Sequence, residues 1–434
     1  MDEQTIVAIV GCSAVILLML IRVPIAVSLG IVGVLGFAYM VNWTAAMRLL
    51  IDSPFRTVTN FNFSVIPMFV LMGTLVSVTG MSRELFRAAA AWLGHLPGGM
   101  AIATIFACGG FAAINGSSVA TAATMTQVAL PEMRRAGYAP GISAGVIATA
   151  GTLGIMIPPS VMFILYAILT DTDIIKLFMA GVIPGILGIF LYSVAVLIVY
   201  WFKPQWMPRA KPANWQERMD SLRDVWAVLL LFAIVLGGMY GGFVTATEAA
   251  GLGVLGAFVI GVARRRLKWP QMVEAMVDSL RTSAAIFFII IGAFLFQYFL
   301  AVTQTSQNLA DWVANLPLSP TGIIVAIMAF YIITGMFVDE LAVMLLTVPI
   351  LYPVIIKLGF DPVWFGVLVV TTVEIGLYAP PIGMLCFVIN KMVPDIGLIN
   401  IYKGALPFLA SDLTRLGLII AFPQIALWFA NTMS

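Results

Sequence analysis

The chain has 434 residues, of which 62% are hydrophobic and 10% are charged, and its formal net charge is +2. A soluble globular domain carries about a quarter charged residues. The composition therefore leaves no room for a separate soluble domain and predicts an all-α, polytopic membrane protein. The near-neutral charge gives no indication of a nucleic-acid partner. The three cysteines lie in apolar segments, which argues against a disulfide framework or a cysteine metal site.

Hydropathy predicts ten full membrane crossings. In chain order they lie near residues 5–21, 24–41, 62–79, 140–169, 174–202, 225–241, 246–263, 283–301, 361–391 and 404–430. Two more apolar stretches, 99–131 and 320–356, are interrupted near the middle by small or polar residues. The segments 42–58 and 81–96 mix apolar and basic residues at helical spacing, which is typical of amphipathic helices on the bilayer surface.

The basic residues predict the orientation of the chain, because cytoplasmic loops carry an excess of Lys and Arg. With the N-terminus outside, the inner loops receive most of these residues, including RRRLK at 264–268 and Arg281. The outer side receives only Arg48, Arg56, Lys176 and Lys357. This distribution requires the two interrupted stretches to be re-entrant hairpins, which enter and leave on the same side.

An internal repeat relates the two hairpin regions. GTLGIMIPPS at 151–160 is matched by EIGLYAPPIG at 374–383, and LPEMRRAGYAP at 130–140 is matched by YPVIIKLGFDP at 352–362. Equivalent residues are 222 positions apart. Five predicted crossings separate the hairpins, and because five is odd, the second repeat is inverted relative to the first.

The glycines and paired prolines of the first motif predict a helix that is broken inside the membrane. Inverted repeats with such breaks at matching places indicate the midplane binding site of a transporter. We expect carbonyl groups from Gly154 to Ile157 to coordinate cations, and the half-helix that begins at the prolines to direct its N-terminus at an anion. Irregular backbone at that depth is tolerated only where it lines a cavity.

The hairpin tips carry further oxygen ligands. The first tip contains Asn115, Ser117, Ser118 and Thr121, and the second contains Asp339 and Glu340. Such hydroxyl, carbonyl and carboxylate oxygens suit a hard cation such as sodium. The hairpins and broken helices contain Asp339, Glu340 and Glu374 but no Lys or Arg, so we expect cations or protonation to compensate these acids. We expect an anionic substrate to be held by sodium, helix N-termini and hydroxyls rather than by an arginine.

Two charged pairs elsewhere are expected to be structural. Thr245 and Glu248 have the spacing of a helix capping box. Asp412 and Arg415 lie one helical turn apart, which predicts a local ion pair.

These motifs resemble the large membrane subunit of tripartite ATP-independent periplasmic (TRAP) transporters of the dicarboxylate or organic-acid type. The resemblance covers essentially the whole chain and is most specific in NGSSVATAA, PEMRRAGY, GTLGIMIPPS, TEAAG and IGLYAPPIG. It implies an elevator-type transporter of the ion-transporter superfamily, not an enzyme, that imports organic acids with sodium. It also implies a small membrane subunit on a separate polypeptide, a periplasmic solute-binding protein, and a place in the bacterial inner membrane with the N-terminus periplasmic.

Carried over residue by residue, the resemblance implies two sodium sites, a substrate site and no other metal. The first sodium site comprises Ser117, Ser118, Gly154 and Ile157, and the second comprises Asp339, Gly376 and Ala379. The implied substrate-binding residues are Asn115, Thr121, Pro159, Ser160 and Pro381. Many relatives have Thr in place of Ala379, so the second site is expected to rely on the backbone there.

The repeat and the resemblance divide the chain into five parts. Scaffold helices and amphipathic arms occupy residues 1–98 and 171–319, and a C-terminal helix occupies 392–434. The two hairpins with their broken helices, at 99–170 and 320–391, form the expected transport domain.

Three other functions compete with this interpretation. A stand-alone sodium/divalent-anion symporter shares the hairpin architecture and would need no binding protein. An intramembrane enzyme would need a nucleophile–base pair or a metal cluster, whereas the single histidine, His95, is expected in a loop. A channel is disfavoured because paired hairpins suit alternating access.

Overall fold

The structure is a computed structural model that describes residues 3–433, and within this range every regular element is a helix. The first part contains α1 (Glu3–Leu20), α2 (Ile25–Met40), α3 (Trp43–Thr59), α4 (Val65–Val78) and α5 (Met81–Leu93). The first repeat contains α6 (Gly99–Asn115), α7 (Ser118–Arg135), α8 (Pro140–Met156) and α9 (Val161–Thr170).

The second half follows the same plan. The connecting helices are α10 (Ile174–Phe202), α11 (Trp215–Tyr240), α12 (Ala246–Ala263), α13 (Trp269–Val302) and α14 (Thr305–Ala314). The second repeat contains α15 (Pro320–Gly335), α16 (Glu340–Lys357), α17 (Pro362–Tyr378) and α18 (Met384–Met392). The chain ends with α19 (Leu398–Ala421) and α20 (Gln424–Ala430). The two repeats therefore contain the same succession of a helical hairpin and a helix broken at a Pro–Pro pair.

The predicted all-α, polytopic membrane fold is confirmed. Among residues 3–433, eight helices are long and apolar enough to cross a membrane, or nine if α8 and α9, which are bent by 42°, form one broken span. The ten predicted crossings differ from these eight helices in four places. The segment 361–391 is divided into α17 and α18 and is not among the eight, whereas α16, predicted as part of a hairpin, is. The helix α2 has only 16 residues, below the roughly 20 that a full crossing needs. The crossing predicted at 404–430 is divided into α19 and α20, because Pro423 has no N–H to continue the helix.

The two long broken-helix segments lie at the centre of the molecule. Every residue of α8 from Ile142 to Met156 is buried, and so is every residue of α17 from Val363 to Tyr378. The helices α8 and α17 contact each other, α8 also packs against the α6–α7 hairpin and α19, and α17 packs against α15, α16 and α10. The first break is therefore enclosed by protein, whereas the second is exposed at Pro380, Pro381 and Ile382.

Two sequence predictions about helix ends are confirmed. Thr245 caps α12: its backbone N–H donates to Glu248 Oε2 at 2.8 Å, and the Glu248 N–H donates to Thr245 Oγ1 at 3.3 Å. The amphipathic segments are helical as α3 and α5, and α3 begins at Asn42, whose side chain accepts from the Ala45 N–H at 2.7 Å. Their place on the bilayer surface stays a prediction.

Candidate functional site

The first broken helix is interrupted between Met156 and Val161. Pro158 and Pro159 have no N–H, so the carbonyls of Gly154 and Ile155 lose their helical donors. Ser160 compensates in part, because its Oγ donates to the Ile155 carbonyl at 2.5 Å and accepts from the Phe163 N–H at 3.4 Å. The predicted run of free carbonyls from Gly154 to Ile157 is therefore wrong at Ile155. Ser160, expected to bind substrate, is fully buried, and its hydroxyl makes these two hydrogen bonds.

The tip of the first hairpin lies directly against this break. Gly116, at the turn, has φ 62, and a Cβ there would lie 3.1 Å from the Pro159 carbonyl oxygen. A Cβ on Gly154 would lie 3.2 Å from the Ser117 carbonyl oxygen and 3.3 Å from Thr121 Oγ1. The structure therefore brings Ser117 and Gly154 together, as the sequence predicts for the first cation site, and places Thr121, predicted to bind substrate, beside them.

Ile157 reaches the same break through its backbone. It ends α8 with an extended conformation (φ −85, ψ 122), and its N–H still donates to Leu153. Its side chain points away from the tip, towards Gly109 of α6 and Gly185 of α10. Only its carbonyl group is thus placed to serve the predicted site.

Several polar atoms around the tip are buried without a hydrogen-bond partner among the described residues. Asn115 Nδ2, Ser118 Oγ and Thr121 Oγ1 belong to the first hairpin, and Glu340 Oε2 belongs to the second. Ser118 and Thr121 are fully buried. Orphaned polar atoms are rare in folded proteins, so four of them around one tip indicate a binding site for a polar ligand or an ion.

A cavity of about 470 Å³ adjoins this group, and we call it the tip cavity. Its wall on the repeat side is formed by the first hairpin tip, the start of α9 and the start of α16, and its opposite wall by α4 and α13. The lining residues that carry the argument below are Asn115, Ser117, Val161, Thr74, Arg281 and Glu340. Its size is within the range of small-molecule binding pockets, about 300–1,000 Å³.

Arg281 lines the tip cavity, a position that the sequence did not predict. The predicted crossing at 283–301 placed it in an inner loop, but α13 runs from Trp269 to Val302, so Arg281 lies well inside a helix and lines the tip cavity. It forms no ion pair with another described residue. The apolar residues of 269–282 recur at helical spacing, which indicates that α13 begins well before residue 283.

The second hairpin tip is arranged differently. Asp339 caps α16, since its Oδ1 accepts from the Leu341 N–H at 3.0 Å. It lines a separate cavity of about 350 Å³ beside Leu20 and Val23 of the first helix and loop. The atoms nearest to a Cβ on Gly376 all belong to Gly335, at 2.6–2.9 Å. Gly376 therefore meets the end of α15 rather than Asp339.

The other residues predicted in the second repeat lie at the second break. Ala379 ends α17 and its N–H donates to the Ile375 carbonyl at 3.0 Å. The Pro381 carbonyl accepts from the Tyr402 hydroxyl at 3.0 Å. Pro381 is exposed and lies outside the tip cavity.

The expectation that the core acids have no basic partner is wrong for Glu374. Arg415 Nη2 lies 2.5 Å from Glu374 Oε2 and 2.9 Å from Asp412 Oδ1, and all three side chains are fully buried. The predicted Asp412–Arg415 pair is thus confirmed and extends to Glu374. The basic residue, Arg415, lies on α19, outside the hairpins and broken helices. Among the described residues, no ion pair is formed by Asp339 or Glu340.

Comparisons with known proteins identify relatives along almost the whole chain. Residues 12–425 match the family model described as "Tripartite ATP-independent periplasmic transporter, DctM component". The chain is 37% identical to the C4-dicarboxylate TRAP transporter large permease protein DctM of Pseudomonas aeruginosa, over 89% of this chain and 90% of that protein. It is 34% identical to the isethionate TRAP transporter permease protein DctMQ of Oleidesulfovibrio alaskensis, over 96% of this chain but 65% of that longer protein.

One solved structure supports the fold alone. The YdaH transporter of Alcanivorax borkumensis matches with a TM-score of 0.62 at 13% identity, covering 88% of this chain and 90% of that one. The matching relatives are transporter permeases, not enzymes, as the sequence analysis expected.

Proposed function

The chain belongs to the DctM family of tripartite ATP-independent periplasmic transporters, in which it is a large permease subunit for organic-acid import, and we propose that it is a sodium-coupled importer that binds its substrate in the tip cavity. The observation that carries the proposal is the composition of that cavity. Its walls combine polar groups of a hairpin tip, the start of a half-helix, one arginine and one acidic residue, Glu340. The proposed substrate is a C4-dicarboxylate or a related carboxylate.

The chemistry of the tip cavity suits an organic anion. The α9 half-helix begins at Val161 in the cavity wall, and a helix N-terminus carries partial positive charge that favours an anion. Arg281 offers a second positive group with a planar fork of donors that matches a carboxylate. Asn115 has a buried amide nitrogen without a partner. A dicarboxylate would use all three groups if Arg281 bound one carboxylate and the α9 N-terminus and the Asn115 amide bound the other.

Sodium coupling rests on the oxygens at the two breaks. At the first, Ser117, Ser118, Gly154 and Ile157 offer hydroxyl and carbonyl oxygens, which are ligands that a hard cation prefers. At the second, we propose that the carbonyls of Gly376 and Ala379 contribute, with Asp339 at the α16 N-terminus as the acidic group. A bound cation at the first break would also attract an anionic substrate into the tip cavity.

We propose an elevator mechanism because the two walls of the tip cavity belong to different sets of helices. The hairpins and broken helices pack on one another, on α10 and α19, and on the arm helices α5 and α14. The helices α4 and α13 pack mainly on each other and on α12, α2 and α3, with a smaller contact to α6 and α16. Movement of the first set against the second would carry a substrate across the membrane. The proposed transport domain consists of residues 99–170 and 320–391.

The proposed partners are a small membrane subunit and a periplasmic solute-binding protein. The Oleidesulfovibrio alaskensis relative, whose name joins the letters M and Q, is about half as long again as the part that this chain matches, which fits fusion of the large subunit to a small one. We propose that in this transporter the small subunit is a separate polypeptide and that the complex lies in the bacterial inner membrane with the N-terminus periplasmic.

Uptake into proteoliposomes tests the function. The large subunit is reconstituted with its small subunit, and uptake of radiolabelled succinate or malate is measured with and without the binding protein. We expect uptake to require both the binding protein and an inward sodium gradient, and to stop when choline replaces sodium at constant pH. Uptake without the binding protein would instead identify a stand-alone symporter, and uptake without sodium would exclude sodium coupling.

A further inference from the structure

Three buried side-chain oxygens near the first break have no hydrogen-bond partner among the described residues, and they come from two different repeats. Ser118 Oγ and Thr121 Oγ1 lie on α7, and Glu340 Oε2 lies on α16. Ser118 and Thr121 are fully buried, and Glu340 is 9% exposed. Leaving such a group unpaired is costly, and more so when the group is charged, so this grouping calls for an occupant.

Two of these oxygens share one face of α7, and the third lies beside that face. Ser118 and Thr121 are three residues apart on α7 and therefore share one face of that helix. On one side of this face Thr121 Oγ1 lies beside Gly154, at the end of α8 where the carbonyls have lost their donors. On the other side the Glu340 carboxylate interacts with the Ser118 hydroxyl, although the two oxygens do not reach hydrogen-bond geometry. The face of α7 is thus enclosed between the first break and the start of α16.

The charges nearby leave Glu340 without compensation. Its neighbours are the acidic residues Asp339 and Glu374, and the charge of Glu374 is already paired with Arg415. Arg281 lines the tip cavity with Glu340 but forms no ion pair with it. A buried carboxylate without a counter-charge is costly, whereas a small cation held by carboxylate, hydroxyl and carbonyl oxygens removes that cost.

We propose that Glu340, from the second repeat, supplies the anionic oxygen of a cation site that Ser118 and Thr121 form in the first repeat. The proposal rests on the sodium-coupled function proposed above and adds two residues to the first site. It moves Thr121 from the substrate group to the cation group. It also makes the first cation site depend on both hairpins, so an ion bound there holds the two tips together beside the tip cavity.

Sodium binding to the purified full-length chain tests the proposal without transport. A ligand that binds the folded state raises the melting temperature by mass action, so the midpoint of a sodium titration, with choline chloride keeping ionic strength constant, reports affinity. The variants are Glu340→Gln, Glu340→Asp and Ser118→Ala. Glu248→Gln is the matched control, because it removes the same charge at a helix cap outside the tip cavity and glutamine retains the capping pattern.

We expect Glu340→Gln and Ser118→Ala each to raise the sodium midpoint at least tenfold, and Glu340→Asp to raise it severalfold, because aspartate keeps the charge but draws it back. The control should match the wild type. The parallel uptake assay should show the same sodium shifts, with little change in the substrate concentration for half-maximal uptake at saturating sodium.

The results separate failure of this proposal from failure of the proposed function. If Ser118→Ala weakens sodium binding and both Glu340 variants leave it unchanged, the first site exists and Glu340 has no part in it. If the Glu340 variants alter only the substrate dependence, Glu340 contacts the substrate and the proposal is overturned. If the wild type neither binds sodium nor needs it for uptake, sodium coupling itself fails. Should Glu340→Gln not fold, Glu340→Asp alone decides between these outcomes.

Discussion

Gly376 meets Gly335 backbone to backbone, so closely that a Cβ on Gly376 would lie 2.6 Å from the Gly335 carbonyl carbon. In the first repeat the equivalent Gly154 faces Ser117 and Thr121 instead. The difference has a local cause. The first tip turns through Gly116 at φ 62, a conformation that glycine adopts without strain. The equivalent position 222 residues later is Val338, whose β-branched side chain disfavours that conformation. The second tip therefore does not fold over its break as the first one does.

The close approach at Gly376 predicts that Gly376→Ala is strongly destabilising. An added methyl group would overlap the Gly335 backbone, and overpacking of this kind costs typically about 1–3 kcal/mol. We expect a lower melting temperature and loss of uptake in the same variant. The control is Gly237→Ala in α11, where a Cβ would meet nothing within 4 Å. A Gly376→Ala protein with normal melting temperature and uptake would contradict the observed packing.

The buried Arg415 cluster predicts a second stability effect. Besides its pairs with Glu374 and Asp412, the cluster includes Tyr192, whose hydroxyl donates to Asp412 Oδ2 at 2.5 Å, and Tyr378, which donates to the same oxygen. Removing one partner of a buried ion pair costs about 3–5 kcal/mol, because the remaining charge is left without compensation. We therefore expect Arg415→Gln to lower the melting temperature sharply.

Neutralising the whole cluster provides the control for that prediction. The triple variant Arg415→Gln, Glu374→Gln, Asp412→Asn carries no charge within this cluster, so we expect it to be more stable than Arg415→Gln alone. Melting temperatures of the two proteins in the same detergent measure the difference. Equal melting temperatures would mean that the lost contacts of the arginine, not the uncompensated carboxylates, cause the destabilisation.

Two substitutions of Asp339 can separate its role as the cap of α16 from its proposed role as a cation ligand. As the cap of α16 it accepts from the Leu341 N–H, and losing such a cap costs about 1 kcal/mol. Asparagine caps about as well as aspartate but carries no charge. We expect Asp339→Ala to be less stable than Asp339→Asn, and we expect both to raise the sodium concentration for half-maximal uptake severalfold if the carboxylate serves the second cation site. Unchanged sodium dependence in Asp339→Asn would leave Asp339 as a cap only.

Much of the architecture could be predicted because its determinants are local. The Pro–Pro pairs fix where α8 and α17 end, since proline removes the amide donors there, and the 222-residue offset between them identifies the repeat. Capping residues such as Thr245 and Asn42 set helix starts in the same local way. The contact between the first hairpin tip and its break was also predictable, because the two are close along the chain.

The errors arose where contacts are distant in sequence. Arg415 compensates Glu374 from another helix, 41 residues later, and no periodicity reveals such a pair. Glu340 approaches Ser118 across the two repeats, so its role beside the first break could not be deduced from the second motif. The hydrogen bond of Ser160, which was expected to bind substrate, was missed for a different reason. Its hydroxyl donates to the Ile155 carbonyl, which the prolines leave without a helical donor.

We expect substitution of Arg281 to weaken substrate affinity without changing sodium affinity. It lies on α13, in the wall of the tip cavity opposite the hairpin tip, and forms no ion pair with a described residue. If its guanidinium binds one carboxylate of the substrate, Arg281→Gln should raise the KM for a C4-dicarboxylate at least tenfold, equivalent to about 1.4 kcal/mol of binding free energy. Arg281→Lys should recover part of the affinity, because lysine keeps the charge without the bidentate geometry. The half-saturating sodium concentration should stay at the wild-type value in both. Arg223→Gln, on α11 and outside the tip cavity, is the matched control. A KM that is unchanged in Arg281→Gln would remove this arginine from the substrate site and leave the α9 terminus and the bound cation to hold the anion.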